Sequence, residues 1–180
     1  MPEFEPAILA SIHATPFIGT AYRNQAPGFD PTSGEGARRQ GGRFNPARSF
    51  PVLYLCATRL CVVAELMQQA ARQGLDVVDL LPRELWSVLL DLETVLDLSD
   101  AGVQRRTGLE VADLTRPDHG FTREIGEFAH DKRFQAIRSP SATGVDEIIA
   151  VFPENLGAAT LNPRLEKVFS LADDVNEAAS

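Results

Sequence analysis

The sequence has few cysteines and no long apolar run. Cys56 and Cys61 lie among apolar residues and match neither a CxxC metal motif nor a disulfide framework. We therefore expect two buried free thiols in a reducing compartment. No apolar stretch approaches the ~20 residues that span a bilayer, and the acidic start of the chain lacks the basic region of a signal peptide. These absences predict a cytoplasmic protein without a membrane partner.

Positive charge and potential metal ligands are also scarce. The chain has 17 Lys and Arg against 25 Asp and Glu, a net charge of −8. Since nucleic-acid binding requires a basic surface, we expect no direct nucleic-acid partner. His119 and His130 have no acidic neighbour at the spacing of a metal site, and we interpret both as structural or incidental. Asp91, Glu93 and Asp97 have no histidine beside them, so no metal site is predicted.

The length of the chain suits one domain. With 180 residues, 44% of them hydrophobic, it can bury a sizeable core but has little room for a second domain. We expect a single domain over 1–180, with its core at about 17–170 and a frayed acidic tail at 172–180. The glycines match neither the dinucleotide-binding spacing nor a phosphate-binding P-loop, which argues against both of those folds.

The stretch from Ala37 to Met67 holds the most distinctive residues. Its Gly41-Gly42-Arg43-Phe44-Asn45-Pro46 segment predicts an irregular loop that carries Arg43. The apolar run after it predicts a buried strand that carries Tyr54. A helix that carries Glu65 follows. Because a cation, a phenol and a carboxylate come together here, we expect any active site to be built from this stretch.

The helix after this strand is predicted from its caps and its periodicity. Thr58 suits the N-cap and Gly74 the C-terminal stop. Residues expected on its apolar face are Leu60, Val63, Ala64, Met67 and Ala71, with Val62 and Leu66 widening the arc. Glu65 falls in the polar stripe. The helix alone therefore favours a solvated glutamate, and only the preceding loop and strand suggest a role in a site.

Other apolar segments complete the predicted fold. The expected strands are Phe17–Arg23, two strands joined by a turn within Val88–Leu98, Phe134–Arg138 and Glu147–Phe152. Residues 101–131 read as helical. Together these elements predict an α/β (α+β) fold of mainly antiparallel sheets with flanking helices.

Five short blocks carry a resemblance to a known family. They are Tyr22-Arg23, GGRFNP at 41–46, LY at 53–54, AEL at 64–66 and RSPSA at 138–142. In this order, over about residues 20–155, the chain resembles the RES domain, named for its arginine, glutamate and serine. It departs from that family at Phe44, where many members have tryptophan. Many members continue from the serine towards an asparagine in an Asn-Pro context, whereas here Val145-Asp146-Glu147 follows, and Asn155 and Asn162-Pro163 come later.

The resemblance implies a bacterial toxin that attacks NAD⁺ and is neutralised by an Xre-type antitoxin. It also implies a fold similar to that of ADP-ribosyltransferases of the diphtheria-toxin type. The matching positions are Arg23 and Arg43 for the arginines, Tyr54 for the site tyrosine, Glu65 for the glutamate, and Ser141, or alternatively Ser139, for the serine.

These residue types suit the cleavage of NAD⁺, which joins an anionic pyrophosphate to a cationic nicotinamide leaving group. Breaking the nicotinamide–ribose bond develops positive charge on the ribose. Arg23 and Arg43 offer bidentate forks to the pyrophosphate. Tyr54 offers its ring to nicotinamide, and Glu65 a charge that favours the transition state. Ser141 offers a hydrogen bond to nicotinamide or ribose, and no metal is required.

The sequence leaves the acceptor open. The ADP-ribosyl group can pass to water, to inorganic phosphate, or to a protein side chain, in which case the chain is an ADP-ribosyltransferase with a protein target. The alternative outside catalysis is a module that binds a nucleotide or a partner without turning it over. Release of nicotinamide from NAD⁺ separates this alternative from all three reactions.

Overall fold

The structure is a computed structural model that describes residues 6–179, with side chains from residue 8 onward. Helices and strands alternate irregularly within these residues. The strands are β1 (Thr15–Gln25), β2 (Leu53–Cys56), β3 (Arg83–Asp97), β4 (Ala136–Pro140), β5 (Glu147–Val151) and β6 (Leu161–Phe169). The helices are α1 (Pro6–Ala10), α2 (Glu35–Gln40), α3 (Arg59–Gln73), α4 (Ala101–Thr107), α5 (Val111–Thr115), α6 (Gly120–Asp131) and α7 (Ala172–Ala178), with short 3₁₀ turns at Val77–Leu80 and Pro153–Asn155.

The six strands form one sheet in the order β1-β2-β5-β4-β3-β6. Because β1 also pairs with β3, five of the strands close into a ring, and β6 lies outside it on β3. β3 and β4 run parallel, whereas the other pairings are antiparallel. The prediction of a mixed α/β fold with a strand-rich sheet and flanking helices is confirmed. The closure of the sheet and its parallel pair were not predicted.

The apolar segment Val88–Leu98 is part of one long strand, so the predicted turn within it is wrong. Leu90 and Leu92 are fully buried while Asp91 and Glu93 are exposed, which is the two-residue period of an uninterrupted strand. No glycine or proline is available there to reverse the chain. The strand continues along β1 to Val95, which pairs with both Thr15 and Ala136.

Both faces of the central strands are apolar. On β5, Ile149 and Val151 pack in one core with β2 and β3 residues, while Ile148 and Ala150 pack in a second core with the helices. Tyr54 on β2 lies at the margin of this second core. The cavity described below therefore lies on the side of the sheet that the helices cover.

Helix α3 begins and ends as predicted, but the face it buries overlaps the predicted apolar face only in part. The Thr58 hydroxyl accepts a hydrogen bond from Cys61 N at 3.2 Å, and Gly74 adopts a left-handed conformation with φ of 67°. The buried residues are Cys61, Val62, Val63, Leu66 and Ala70, whereas Leu60 and Met67 are exposed. The sequence has apolar residues on both arcs of the helix, and packing against the sheet and α7 selects one of them.

The segment from residue 172, which we expected to fray, forms helix α7. Val175 is 2% exposed and packs in the helix-side core. Asp174 anchors the start of the helix, because its carboxylate accepts hydrogen bonds from the backbone of Ser170 and Leu171 at 2.9 Å each. The small residues of the tail thus fold because α3 supplies an apolar surface for them.

Candidate active site

A cavity of about 760 Å³ opens between the end of β1, the loop before β2, helix α3 and the segment that joins α5 to α6. This volume is ordinary for a small-molecule site, for which about 300–1,000 Å³ is typical. Arg23, Arg43, Tyr54 and Glu65 all line it. Four side chains predicted from separate blocks of the sequence therefore converge on one cleft.

Ser141 lies directly behind Glu65. Its hydroxyl donates a hydrogen bond to Glu65 Oε1 at 2.8 Å and accepts one from the backbone N–H of Thr143 at 3.1 Å. Ser141 is 1% exposed, so this bond fixes the carboxylate from the protein side. Ser139 is fully buried and its hydroxyl reaches only the carbonyl oxygen of Pro140, at 3.5 Å. Of the two candidate serines, Ser141 is the one in contact with the predicted carboxylate.

Arg43 is held by the end of β4. Its Nη1 donates a hydrogen bond to the carbonyl oxygen of Pro140 at 2.9 Å. Burial lowers the pKa of Arg43, and the negative charge of Glu65 opposes this shift without cancelling it. The guanidinium and the carboxylate are therefore close enough to interact across the cleft.

Tyr54 uses its hydroxyl to fix the loop that carries Arg43. The oxygen accepts a hydrogen bond from the backbone N–H of Phe44 at 2.7 Å and donates one to Asn45 Oδ1 at 3.0 Å. Burial raises the pKa of Tyr54, so the phenol stays protonated and does not serve as a base. A Cβ added to Gly42 would lie 2.6 Å from the ring, which explains why glycine is needed beside it. We call Gly41, Gly42, Arg43 and Tyr54 the loop side of the cleft.

Arg23 closes the end of the cavity near β1. Its Nη1 donates to the carbonyl oxygen of Pro31 at 3.0 Å, while its buried Nε has no hydrogen-bond partner among the side chains of residues 8–179. Burial and the nearby charge of Arg83, against a smaller opposite effect of Asp30, together lower the pKa of Arg23 to about 10. The side chain remains a cation at neutral pH.

One boundary of the cleft was not predicted from the sequence. It is formed by Arg116, His119 and Arg123, and we call these three residues the helix side. Arg72 of α3 also lines the cavity. His119, interpreted from the sequence as structural or incidental, contributes to the cavity lining. One usable signal was available: His119 and Arg123 are four positions apart at the start of α6 and thus share a face.

In the part of the chain that the structure describes, one hydrogen bond joins the two sides. Arg123 Nε donates to the carbonyl oxygen of Gly42 at 3.1 Å, across a separation of 81 positions in the sequence. Arg116 is paired with Asp113, whereas Arg72 contacts only the neutral side chain of Gln68 in the described part of the chain. The helix side therefore carries positive charge that the protein does not fully neutralise.

The pKa of His119 is affected by this excess of positive charge. Burial lowers its pKa, and the charges of Arg43, Arg123 and Arg72 lower it further. Asp118 opposes the shift only as the smallest of these effects. At neutral pH the imidazole is therefore uncharged and lies among three guanidinium groups.

The composition of the lining indicates the type of ligand. Five arginines and a single carboxylate, Glu65, line the cavity of a chain whose net charge is −8. Such a site suits a ligand with several negative charges and one centre that is positive or becomes positive beside Glu65. Within the described residues there is no group of three or more His, Cys, Asp and Glu side chains placed to hold a metal.

None of the helices in residues 6–179 is long and apolar enough to cross a bilayer. Cys56 and Cys61 are both buried and free, as the sequence predicted. The hydrogen bond with Cys61 and burial both raise the pKa of Cys56. Although Cys56 borders the cavity, its thiol is therefore kept protonated and unreactive.

Comparison with known proteins agrees with this geometry. The chain is 31% identical over 147 residues to the NAD(+) phosphorylase MbcT of Mycobacterium tuberculosis and of Mycobacterium bovis, an alignment that covers 81% of this chain and 79% of the relative. It also resembles a chain in the crystal structure of the M. tuberculosis MbcT–MbcA toxin–antitoxin complex, with a TM-score of 0.79 and 25% sequence identity. The superposition covers 97% of this chain and 96% of that chain. The RES domain matches residues 20–174. The chain belongs to the RES domain family.

Proposed function

We propose that this protein is the toxin of a toxin–antitoxin pair and that it cleaves the nicotinamide–ribose bond of NAD⁺. The observation that carries the proposal is the pair formed by Glu65 and Ser141, with 2.8 Å between their oxygens, at the edge of a cleft lined by arginines. The relationship to an NAD(+) phosphorylase supports the same substrate. Depletion of NAD⁺ is a direct route to toxicity.

We assign the roles from charge. Arg23 and Arg43 bind the pyrophosphate, whose two negative charges their guanidinium groups match. Glu65 stabilises the positive charge that develops on the ribose as the bond to nicotinamide breaks. Ser141 acts through Glu65, because its hydroxyl holds the carboxylate in one orientation.

Tyr54 has two proposed roles. Its ring borders the cavity and offers a face to nicotinamide, while its hydroxyl holds the loop that positions Arg43. Because the hydroxyl is used within the protein, the ring is the part of this side chain left for the substrate. This arrangement supports a binding and positioning role rather than proton transfer.

A protein inhibitor of the Xre class is the partner we propose. An unregulated NAD⁺-cleaving enzyme would harm its own cell, so the cleft must be closed until it is needed. The complex of MbcT with an antitoxin supports such a partner for this chain. The open, cation-lined cleft suits an acidic or carboxylate-terminated segment of an inhibitor.

The remaining structural expectations belong to the same proposal. We infer a fold of the diphtheria-toxin type of ADP-ribosyltransferase, with mainly antiparallel strands, and one functional domain over the chain. The closed sheet and the span of the family match support this inference. We also propose that the protein acts in the cytoplasm, where its substrate is available and where the two free thiols would stay reduced.

The test is the rate of nicotinamide release from NAD⁺ by purified protein, compared between the parent and Glu65→Gln. Gln keeps the shape and can still accept the Ser141 hydrogen bond, so the change removes mainly the charge. We expect kcat to fall by about 10²–10³, the usual cost of losing one well-placed electrostatic group. The KM for NAD⁺ should change little, because the ribose is not yet positive in the ground state.

Glu93→Gln is the matched control, since Glu93 is an exposed carboxylate on β3 outside the cavity lining. It should turn over NAD⁺ within a few-fold of the parent. Equal rates for the Glu65 and Glu93 variants would contradict the role of Glu65. A folded parent that binds NAD⁺ but releases no nicotinamide would instead identify a non-catalytic binding module.

A further inference from the structure

We propose that the exposed apolar face of helix α3 binds a second copy of this chain, and that the two α3 helices pack antiparallel about a twofold axis. The face consists of Leu60, Ala64, Met67 and Ala71, which we call the α3 stripe. None of these four residues lines the cavity. The stripe therefore serves a purpose separate from the cleavage of NAD⁺.

Helix α3 has three faces, and the face that solvent reaches is apolar. Its buried residues pack in the core, and its polar residues Glu65 and Arg72 border the cavity. On the remaining face Leu60 is 49% exposed and Met67 is 56% exposed, and the two alanines of the stripe are exposed or half-buried. The solvent side of a surface helix is ordinarily polar. Four apolar positions in series form a continuous patch, which is typical of an interaction surface.

The spacing of the α3 stripe suits packing against another helix. Its members are four, three and four residues apart, which is the a/d spacing of helices that pack side by side. A helix that packs on this stripe can meet all four positions. The stripe therefore predicts a helical partner.

The order of side-chain sizes identifies that partner as a second copy. Along the helix the stripe reads large, small, large, small. A twofold axis midway between Ala64 and Met67 places Leu60 against Ala71 of the second copy, and Met67 against its Ala64. Each large side chain then meets a small one, as close packing requires. In a parallel pair the same residues would meet large against large.

The charges around the stripe favour the same arrangement. The positions that flank it on the helix surface are the neutral residues Val63, Ala70 and Gln68, so two chains of net charge −8 bring no like charges together there. Asp76 and Asp79 are exposed just after the end of α3. In the antiparallel pair they lie near the start of the second copy's α3, where the positive end of the helix dipole attracts them.

The size of the contact determines how strong the dimer is. From Leu60 to Ala71 the stripe is about 16 Å long, at 1.5 Å per residue. Stable interfaces bury about 800 Å² per partner, and one pair of helices of this length buries less. We therefore expect a reversible dimer with a Kd on the order of 10 µM.

Sedimentation velocity of the purified protein between about 1 µM and about 200 µM measures this equilibrium on both sides of the expected Kd. The parent should change from monomer to dimer over this range. Met67→Lys places a charge at the centre of the contact and should raise the Kd about a hundredfold. Ile18→Lys is the matched control, because Ile18 is an apolar residue of β1 that is 75% exposed and lies outside the stripe. Its Kd should equal that of the parent.

Ala71→Leu separates packing against an identical helix from general apolar attraction. The change adds apolar surface but places Leu against Leu60 of the second copy, so the Kd should rise about tenfold. Combining Leu60→Ala with Ala71→Leu exchanges the large and small positions and should return the Kd to within about threefold of the parent. Both positions are exposed, so neither change disturbs the core.

Three outcomes would overturn the inference. The first is a parent that stays monomeric at about 200 µM. The second is an Ala71→Leu variant that dimerises more tightly than the parent. The third is a double variant whose Kd is no better than that of Ala71→Leu, because the order of sizes would then have no effect.

Co-purification with the antitoxin tests the other occupant of this surface. If the parent is monomeric and Met67→Lys loses the antitoxin while Ile18→Lys retains it, the stripe belongs to the antitoxin interface and the second copy is excluded. None of these measurements uses NAD⁺. A failure of the dimer therefore leaves the proposed function intact, and a parent that releases no nicotinamide leaves the dimer intact.

Discussion

The two sides of the cleft are built differently. On the loop side the backbone of residues 42–45 is fixed by buried hydrogen bonds, with Tyr54 at their centre and Asn45 fully buried beside it. On the helix side, among the described residues, the cavity is bordered by an imidazole without a hydrogen-bond partner and by Arg123, which makes one hydrogen bond through Nε. One side is held by hydrogen bonds within the protein, whereas the other leaves several polar groups and positive charges unpaired.

This difference has a physical basis. Orienting a cation before the substrate arrives lowers the entropy cost of binding, and a dense network of hydrogen bonds achieves that on the loop side. Positive charges that lack a partner repel one another, and the lowered pKa of His119 reflects that repulsion. The folded protein tolerates the repulsion because Arg116, His119 and Arg123 are only partly buried and remain in contact with water. A bound anion would remove it.

The largest expected effect tests how closely the two sides are packed. A Cβ added to Gly126 of α6 would lie 1.7 Å from the carbonyl oxygen of Phe44, so Gly126→Ala must push the helix away from the loop. We expect the free energy of unfolding to fall by about 3 kcal/mol, at the upper end of the cost of overpacking. Urea denaturation followed by circular dichroism measures this loss.

Gly36→Ala is the matched control. A Cβ at Gly36 would have no heavy atom within 4 Å, and the residue lies exposed in helix α2. Alanine there should stabilise the protein by about 0.5–1 kcal/mol, because it restricts the unfolded chain and favours the helix. If both variants unfolded at the same urea concentration, the close packing of α6 against the loop would be refuted.

The difference between the loop side and the helix side also explains which site residues can be predicted from the sequence. The loop side lies within one contiguous stretch, so its arginine and tyrosine could be singled out from local pattern. The contact of Ser141 with Glu65 joins residues 76 positions apart and was not predicted, and Ser141 itself became a candidate only through the family resemblance. Arg123 meets Gly42 across 81 positions, and no local pattern encodes that meeting. Periodicity predicts which residues share a face, but not which distant segment that face contacts.

The same limit applies to the fold, because local pattern predicts an element but not the distant segment that it contacts. The caps of α3 and the apolar run of β5 depend on neighbouring residues, and both were predicted. The buried face of α3 depends on the sheet beneath it, so Leu60 and Met67 were assigned to the wrong side. The ring of strands depends on β1 pairing with β3, a contact between segments about 70 positions apart such as Thr20 and Leu89. Its register comes from tertiary packing that a single sequence does not display.

A smaller effect is expected from the hydroxyl of Tyr54. Tyr54→Phe keeps the ring but leaves the N–H of fully buried Phe44 and the Oδ1 of Asn45 without this partner. The free energy of unfolding should fall by about 1–3 kcal/mol, the cost of unsatisfied buried polar groups. Because the loop that carries Arg43 loosens, the KM for NAD⁺ should rise at the same time.

Tyr22→Phe provides the comparison for stability. The Tyr22 hydroxyl makes no hydrogen bond within residues 8–179, and its ring lies under the guanidinium of Arg59 at 4.7 Å. Removing that hydroxyl should change the free energy of unfolding by less than about 0.5 kcal/mol. A Tyr54→Phe variant as stable as Tyr22→Phe would show that the hydroxyl does not hold the loop side.

The smallest expected effect concerns the pH dependence of the helix side. Burial and three arginine charges lower the pKa of His119 below its ordinary 6.5. As the pH falls through 6.5, the unfolded chain therefore binds the His119 proton before the folded chain does, and the free energy of unfolding decreases. The parent should thus lose more stability than His119→Gln between about pH 7.5 and about pH 5.5, measured by urea denaturation at each pH.

His13→Gln is the control for this measurement, because His13 is exposed and lies outside the cavity lining, so its variant should follow the parent. A parent whose stability falls with pH no more than that of His119→Gln would mean that the arginines of the helix side do not act on this imidazole. The contrast between a loop side fixed by hydrogen bonds and a helix side with incompletely neutralised positive charge would then be wrong.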